Sequence, residues 1–271
     1  MLKLRVITAA IGLPLVILSI VLGEYTFALF LAVVSGLCAL ELIRLEPQCS
    51  RNVALTFIAL ILVVTLSSGR LLLPGPGAVE LIVTACVLAS LMTLLRRGDT
   101  RGSFQQWSWS MAVALYVGLL LGQWGQVYSL ASGMALVCFG IFTTFFYDTF
   151  AFFTGRALGK HKMVPRLSAG KTWEGAAGGV VMAMVGGLLV RMVLQTRSVP
   201  FPFGVALTVV VALCLAIAAQ MGDLVGSAVK RSAGVKDAGR ILPGHGGMLD
   251  RFDSLLFTGP VLYYIALWVN A

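Results

Sequence analysis

The stretch ALTFIALILVVTL, residues 54–66, carries no charged side chain and is apolar on every face of a helix. The hydrocarbon core of a bilayer is about 30 Å thick, and one helical crossing needs roughly 20 apolar residues. Comparable stretches follow one another from Val6 to the C-terminus, and the 271-residue chain is 59% hydrophobic and 11% charged. The sequence therefore predicts an all-α, polytopic integral membrane protein rather than a water-soluble fold.

Nine apolar segments can be drawn as membrane-spanning helices. They lie at 6–23, 25–43, 53–69, 78–95, 107–123, 127–153, 175–195, 202–223 and 252–270. A transmembrane β-barrel is excluded because its strands alternate polar and apolar residues over about ten positions, which these segments do not. No polar segment is long enough to build a separate soluble core, so we predict a single membrane domain over residues 1–271.

The basic residues lie almost entirely on alternate connections between these segments. Only Arg70, Arg191 and Arg197 fall on the opposite set. Because cytoplasmic loops retain Lys and Arg, we predict a cytoplasmic N-terminus and a C-terminus outside. The net charge of +9 lies along one bilayer face and accompanies no nucleic-acid-binding motif. Anionic lipid and a phosphate-bearing substrate are therefore the expected partners, and nucleic acid is not.

Four aspartates lie in or beside the apolar segments of the second half of the chain. Asp148 is inside the sixth segment and Asp223 ends the eighth, while Asp250 and Asp253 open the ninth. An ionised carboxylate costs about 3 kcal/mol at the centre of a spanning helix, so such residues need partners or a function. We expect all four to face a polar cavity.

Asp250 and Asp253 are three residues apart at the predicted start of a helix, so both side chains lie on one face. Carboxylate oxygens are the ligands that magnesium prefers, usually together with substrate phosphates. Spacing alone leaves a second interpretation open, in which the two aspartates form structural salt bridges. The candidate partners for such bridges are Lys230, Arg231, Arg240 and Arg251.

The continuous stretch SAVKRSAGVKDAGRILPGHGGMLDRFD, residues 227–253, contains both of these aspartates. It resembles the signature of the phosphatidate cytidylyltransferase family, the CDP-diacylglycerol synthases. The matching positions are Ser227, Lys230, Arg231, Lys236, Asp237, Gly239, Leu242, Pro243, His245, Gly246, Gly247, Asp250, Arg251 and Asp253.

A second stretch is similar to a loop of the same family. It runs from DTFAFFTGR, residues 148–156, through GKHK, residues 159–162, to KTWEG, residues 171–175. One departure is visible, because the family commonly has Ser-Pro before the Lys-Thr element and here Ser168 is followed by Ala169. The resemblance is strong over residues 140–270 and weak over the first hundred.

The resemblance implies a reaction in which the phosphate of phosphatidic acid attacks the α-phosphorus of CTP. Pyrophosphate leaves and CDP-diacylglycerol forms, which is the first committed step of phospholipid head-group assembly. It also implies that residues 126–271 form the catalytic helices and cytoplasmic loops, and that residues 1–125 form a scaffold with candidate oligomer contacts. The expected setting is the cell inner membrane, with the active site facing the cytoplasm and the chain forming a homodimer.

Phosphoryl-type transfer needs positioning and charge neutralisation more than covalent help, because an anionic nucleotide must meet an anionic lipid. We therefore assign metal coordination to Asp223, Asp250 and Asp253, with Mg²⁺ as the cofactor. The resemblance implies a second cation such as K⁺. The remaining candidate catalytic residues are Lys230, Arg231, Lys236, His245 and Arg251.

A further group is expected to bind the nucleotide phosphates. Lysines of the earlier basic loop would close over the nucleotide, and glycines before the last helix would let backbone N–H groups approach phosphate oxygens. The members of this group are Lys160, Lys162, Ser168, Lys171, Ser227, Gly246 and Gly247. His245 is expected to donate to a phosphate or to orient a ligand.

Three other functions compete with this one. A transporter or channel with an intramembrane carboxylate ion site is the first alternative, since such carboxylates also mark ion pathways. A CDP-alcohol phosphotransferase is the second, and its D-G-x2-A-R-x8-G-x3-D-x3-D pattern does not occur in this chain. A non-catalytic membrane scaffold is the third, and the dense agreement over residues 227–253 argues against it.

Overall fold

The computed structural model describes residues 2–46, 52–73, 75–96, 100–239, 241 and 246–270. These residues form nine helices and one short β-hairpin. The helices are α1 (Leu2–Val21), α2 (Glu24–Leu45), α3 (Val53–Leu72), α4 (Ala78–Met92), α5 (Thr100–Val113, then π-helical over Ala114–Leu119, then Leu120–Tyr128), α6 (Gly133–Leu158), α7 (Trp173–Thr196), α8 (Val205–Ser232) and α9 (Leu249–Asn270). The hairpin joins β1 (Lys162–Val164) and β2 (Ser168–Thr172) between α6 and α7.

The prediction of a polytopic helical membrane protein is confirmed. Within the described residues, eight helices are long and apolar enough to cross a bilayer, namely α2, α3, α5 to α9, and α4 when it is taken to Leu95 through the 3₁₀ turn Thr93–Arg96 that continues it. The first predicted span corresponds to α1, whose described apolar part, Ala10–Val21, is shorter. The length and apolar composition of these helices are those of a multi-pass membrane protein.

Contacts between Cα atoms divide the chain into two units. The first unit comprises Met1–Gln126 and Asp237–Arg251, and the second comprises Val127–Lys236 and Phe252–Ala271. The predicted single membrane domain over residues 1–271 stays a prediction.

In the first unit, α3 packs between α2 and α5. Gly118 and Gly122 allow the close approach of α5, since a Cβ at Gly118 would lie 2.9 Å from the Cα of Val63. The hydroxyls of Ser35 and Ser67 share a buried 2.7 Å hydrogen bond between α2 and α3. Small residues and buried hydroxyl pairs are the usual means of joining helices in lipid, where no hydrophobic effect drives them together.

In the second unit, α7 lies against both α6 and α8. The glycines of α7 make this close packing possible, because a Cβ at Gly179 would lie 2.8 Å from the Tyr147 ring of α6. Tyr147, Ala183, Ala216 and Ala219 form a buried cluster where the three helices meet. This packing fixes α6 and α8, which carry Asp148 and Asp223, against α7.

The second unit differs from the sequence-based expectation in two places. Helix α8 continues beyond the predicted end at residue 223, so Ser227, Lys230 and Arg231 are helical rather than in a loop. Residues 224–232 contain no Pro, and two cations at a helix C-terminus interact favourably with the helix dipole. The loop after α6 also contains an antiparallel β-hairpin, in which Lys162 pairs with Thr172.

Candidate active site

The first ion pair of the candidate site joins the hairpin to α8. Lys171 Nζ lies 2.7 Å from Asp223 Oδ2. The ammonium is buried and meets the carboxylate as a charge contact rather than as an aligned hydrogen bond. Asp223 remains about one-third exposed, with a side-chain accessibility of 37%. Both residues were predicted site residues, and the structure brings them together.

The second ion pair is more deeply buried. Lys230 Nζ of α8 lies 3.6 Å from Asp253 Oδ2 of α9, and the two residues are 7% and 6% exposed. Two glycines of α8 make room for this aspartate. A Cβ at Gly226 would lie 2.9 Å from the Asp253 Cβ, and a Cβ at Gly222 would lie 2.5 Å from the Asp253 carbonyl oxygen. The predicted alternative of a salt bridge is thus realised for Asp253 with Lys230.

A third carboxylate lies near these pairs. Asp148 of α6 accepts a 3.2 Å hydrogen bond from the Ser254 hydroxyl of α9, and the charges of Asp223 and Asp253 both act on it. The Ser254 N–H in turn donates to Asp253 Oδ1 at 2.9 Å. Asp148 was expected to face a polar cavity, and its described side-chain contact is this bond from Ser254.

A neighbouring part-buried hydrogen bond joins the two helices that carry Asp148 and Asp223. The Tyr147 hydroxyl donates to Gln220 Oε1 at 2.5 Å. Tyr147 directly precedes Asp148 and Gln220 lies three residues before Asp223, so this bond ties α6 to α8 close in sequence to both carboxylates.

The basic loop places its predicted phosphate-binding residues at the surface. Lys160 and Lys162 are exposed, and Ser168 begins β2 half-buried. Glu174, in the first turn of α7, accepts the backbone N–H groups of Lys160 and His161 at 3.2 Å. The side-chain cap of α7 is Thr172, which accepts the N–H of Gly175 at 3.1 Å. The start of the loop is therefore fastened to the start of α7.

Three more of the predicted site residues, Ser227, Arg231 and Lys236, lie in or just beyond the last turns of α8. Arg231 donates from Nε to the Leu167 carbonyl at 3.3 Å and from Nη1 to the Val235 carbonyl at 3.0 Å. It thus fastens the hairpin turn to the end of α8. Lys236 is exposed beyond that end, and Ser227 lies half-buried in α8 next to Gly226.

Asp250 belongs to the first unit, where it organises the segment before α9. Its Oδ2 accepts the N–H of Ala238 at 3.0 Å and the N–H of Gly247 at 2.8 Å. Gly246 has a positive φ of 84°, a backbone conformation that favours glycine. Arg251 is exposed. His245 lies outside the described residues.

Sequence reasoning missed Glu41. This residue of α2 is 2% exposed, and its carboxylate accepts the N–H groups of Met248 and Leu249, both at 2.9 Å. The available signal was its charge, since Glu41 is the one charged residue within the predicted span 25–43. Its partners lie 207 and 208 residues away along the chain, so the sequence could not name them.

The donor chemistry of the cluster suits a hard divalent cation. Among the described residues, no group of three or more His, Cys, Asp or Glu lies close enough to hold a metal ion by itself. Magnesium usually takes one or two protein carboxylates and completes its shell with water and substrate phosphates. The partly exposed Asp223, with Asp253 and Asp148 nearby, fits that mode.

The chain matches one family profile and is similar to several phosphatidate cytidylyltransferases. The sequence profile of the cytidylyltransferase family matches residues 3–269. A phosphatidate cytidylyltransferase of Bacillus subtilis (strain 168) is 30% identical over 265 residues, which cover 97% of each chain. One from Staphylococcus haemolyticus is 33% identical over 96% of this chain and 97% of its own. One from Brucella abortus biovar 1 is 51% identical over 116 residues, which cover 43% of this chain and 41% of its own.

Proposed function

The chain belongs to the cytidylyltransferase family, and on that premise we propose that it catalyses the phosphatidate cytidylyltransferase reaction. CTP and phosphatidic acid are the substrates, and CDP-diacylglycerol and pyrophosphate are the products. The observation that carries the proposal is the pair of lysine–aspartate contacts, Lys171 with Asp223 and Lys230 with Asp253, on elements of the matched region.

The lysines bind and orient the two anionic substrates. A phosphate oxygen of the lipid forms a bond to the α-phosphorus of CTP, while the bond from that phosphorus to the bridging oxygen of pyrophosphate breaks. The reacting groups repel each other, so Lys171 and Lys230 stabilise their approach by neutralising phosphate charge. Lys160, Lys162 and Lys236 extend the same positive surface toward the triphosphate.

Asp223 and Asp253 are the proposed metal-holding carboxylates of the second unit. Asp250 joins the proposed set because it precedes Asp253 by three residues in the same helix turn. Mg²⁺ bound there would supply charge neutralisation at the α-phosphate and the leaving pyrophosphate, with K⁺ as the proposed second cation. Asp250 has one oxygen, Oδ2, engaged by two backbone N–H groups, which orients the carboxylate.

The remaining predicted residues take supporting roles in the proposal. Ser168 and Ser227 supply hydroxyls near the lysines. The backbone N–H of Gly246 is a proposed phosphate donor, and Gly247, whose N–H donates to Asp250, is proposed to let the backbone approach the phosphate closely. His245 and Arg251 are proposed to contact a phosphate. Arg231, which binds two backbone carbonyls, holds the hairpin in place.

The setting of the reaction is also part of the proposal. The multi-pass protein is placed in the cell inner membrane, with a cytoplasmic N-terminus, an active site at the cytoplasmic leaflet and a homodimeric assembly. The excess of Lys and Arg on one set of connections supports this orientation. A lipid head group and cytoplasmic CTP meet at that leaflet.

One assay tests the activity and its metal requirement together. Purified protein in detergent micelles is given CTP, phosphatidic acid and Mg²⁺, and CDP-diacylglycerol and pyrophosphate are quantified. We expect stoichiometric formation of both products, no formation with EDTA, and recovery when excess Mg²⁺ is added back. Product formation that is unaffected by EDTA would remove the metal from the proposal. Ion flux without consumption of CTP would favour a transporter.

A further inference from the structure

We propose that Glu41 is a positioning residue for the reaction: its buried carboxylate fixes the Gly246–Asp250 segment and so sets the place of Asp250. The inference rests on the proposed role of Asp250 in that function. Glu41 contacts neither substrate in this scheme and acts only through the backbone that it holds.

The Glu41 carboxylate binds two consecutive backbone N–H groups. Its Oε1 accepts the Met248 N–H and its Oε2 accepts the Leu249 N–H, each at 2.9 Å. Those amides begin α9, where unpaired N–H groups and the helix dipole favour an anion. Both carboxylate oxygens therefore accept a hydrogen bond. A carboxylate as deeply buried as Glu41 is stable only with such partners.

Two glycines, Gly239 and Gly247, make room for the Glu41 carboxylate. A Cβ at Gly239 would have three atoms of the Glu41 side chain as its nearest neighbours, and a Cβ at Gly247 would lie 2.5 Å from Glu41 Oε2. Gly239 has no positive φ, so its backbone conformation is open to alanine. Glycine is required here because a Cβ would occupy the space of the Glu41 carboxylate. Gly239 and Gly247 therefore fit around Glu41.

The segment that contacts the Glu41 carboxylate also holds Asp250. The N–H of Gly247 and the N–H of Ala238, the residue before Gly239, both donate to Asp250 Oδ2. A shift of the segment at Glu41 would move the donors that orient Asp250. Trp109 Nε1 donates to the Leu42 carbonyl at 3.2 Å, which fixes α2 next to Glu41.

The first test needs neither CTP nor metal. Amide hydrogen exchange is followed by mass spectrometry on the peptide covering residues 246–255 of the full-length protein in micelles. We expect Glu41→Gln, which keeps the volume but presents an NH₂ group to a backbone donor, to raise exchange at Met248 and Leu249 about tenfold. Glu24→Gln, the same change at an exposed position of the same helix, should leave it unchanged. Exchange in Glu41→Gln equal to wild type would overturn the proposal.

A double-mutant cycle keeps the proposal testable where the Gln variant folds poorly. Gly239→Ala should push the carboxylate off its donors and raise the same exchange, while Glu41→Ala removes the clash. We therefore expect Gly239→Ala to have no additional effect in a Glu41→Ala background. Additive effects of the two changes would show that Gly239 does not accommodate Glu41 and would contradict the proposal.

The third measurement separates positioning from general stability. For Glu41→Gln we expect the half-saturating Mg²⁺ concentration and the KM for CTP to rise about tenfold, more than kcat falls. A residue with a merely structural role would lower the yield and the maximal rate while leaving both concentrations unchanged, and that result would overturn the proposal. An inactive wild-type protein would instead refute the proposed function and leave the exchange result standing.

Discussion

Replacement of Lys230 tests whether the buried pair serves stability, catalysis or both. Lys230→Met removes the charge and leaves Asp253, 6% exposed, without its ammonium partner at 3.6 Å. At that distance two unit charges interact by about 5 kcal/mol at an effective dielectric constant of 20, before desolvation is subtracted. Breaking one side of a buried pair typically costs about 3 to 5 kcal/mol. We expect about 3 kcal/mol here, because 3.6 Å exceeds an ideal hydrogen-bond distance.

The assay combines thermal unfolding in micelles with CDP-diacylglycerol synthesis. Lys230→Met should unfold roughly 6 °C or more below wild type and lose at least about 100-fold in kcat/KM, equal to about 2.7 kcal/mol of transition-state stabilisation. Lys230→Met with Asp253→Asn removes both charges of the pair and should recover most of the stability but none of the activity. Arg197→Met, at an exposed cation, controls for the loss of positive charge. Activity regained by the double variant would refute the catalytic role of the pair.

Three further changes probe the packing of the site. Gly226→Ala places a methyl 2.9 Å from the Asp253 Cβ, so activity should fall about tenfold with a stability loss of about 1 to 3 kcal/mol; wild-type kinetics would contradict this. Tyr147→Phe leaves Gln220 Oε1 without its donor and should destabilise by about 1 kcal/mol in thermal unfolding, whereas an unchanged melting temperature would argue against the bond. Thr172→Ala removes the cap of α7 and should cost about 1 kcal/mol, and an equally stable variant would show that the cap is dispensable.

Much of the architecture follows from the sequence alone. Apolar runs long enough to span a bilayer predicted the helices, since lipid forces every backbone group to pair within its own segment. The end of α8 was placed too early because Asp223 marked the edge of the apolar run, whereas the helix continues to Ser232. Hydropathy locates the end of the apolar segment, which need not be the end of the helix.

The sequence identified residues of the candidate site but not which of them form ion pairs with each other. The two family-like stretches singled out Lys171, Lys230 and Asp253, and the position of Asp223 at the end of an apolar segment singled out that carboxylate. The structure joins the four residues as two ion pairs. Nothing local specifies that Lys171, in a hairpin, meets an aspartate on α8, because such contacts depend on tertiary packing. Glu41 was missed for the same reason.

The proposed reaction depends on Asp223, Asp250 and Asp253 holding the metal, so the turnover of their asparagine variants is the decisive measurement. Asp223→Asn, Asp250→Asn and Asp253→Asn are assayed for CDP-diacylglycerol formation at saturating Mg²⁺ and CTP, beside Glu80→Gln as an exposed carboxylate control. We expect folded, monodisperse variants whose kcat falls at least about 100-fold, with the control at wild-type rate. Asparagine variants that turn over at near wild-type rate would refute the metal-holding role of these aspartates.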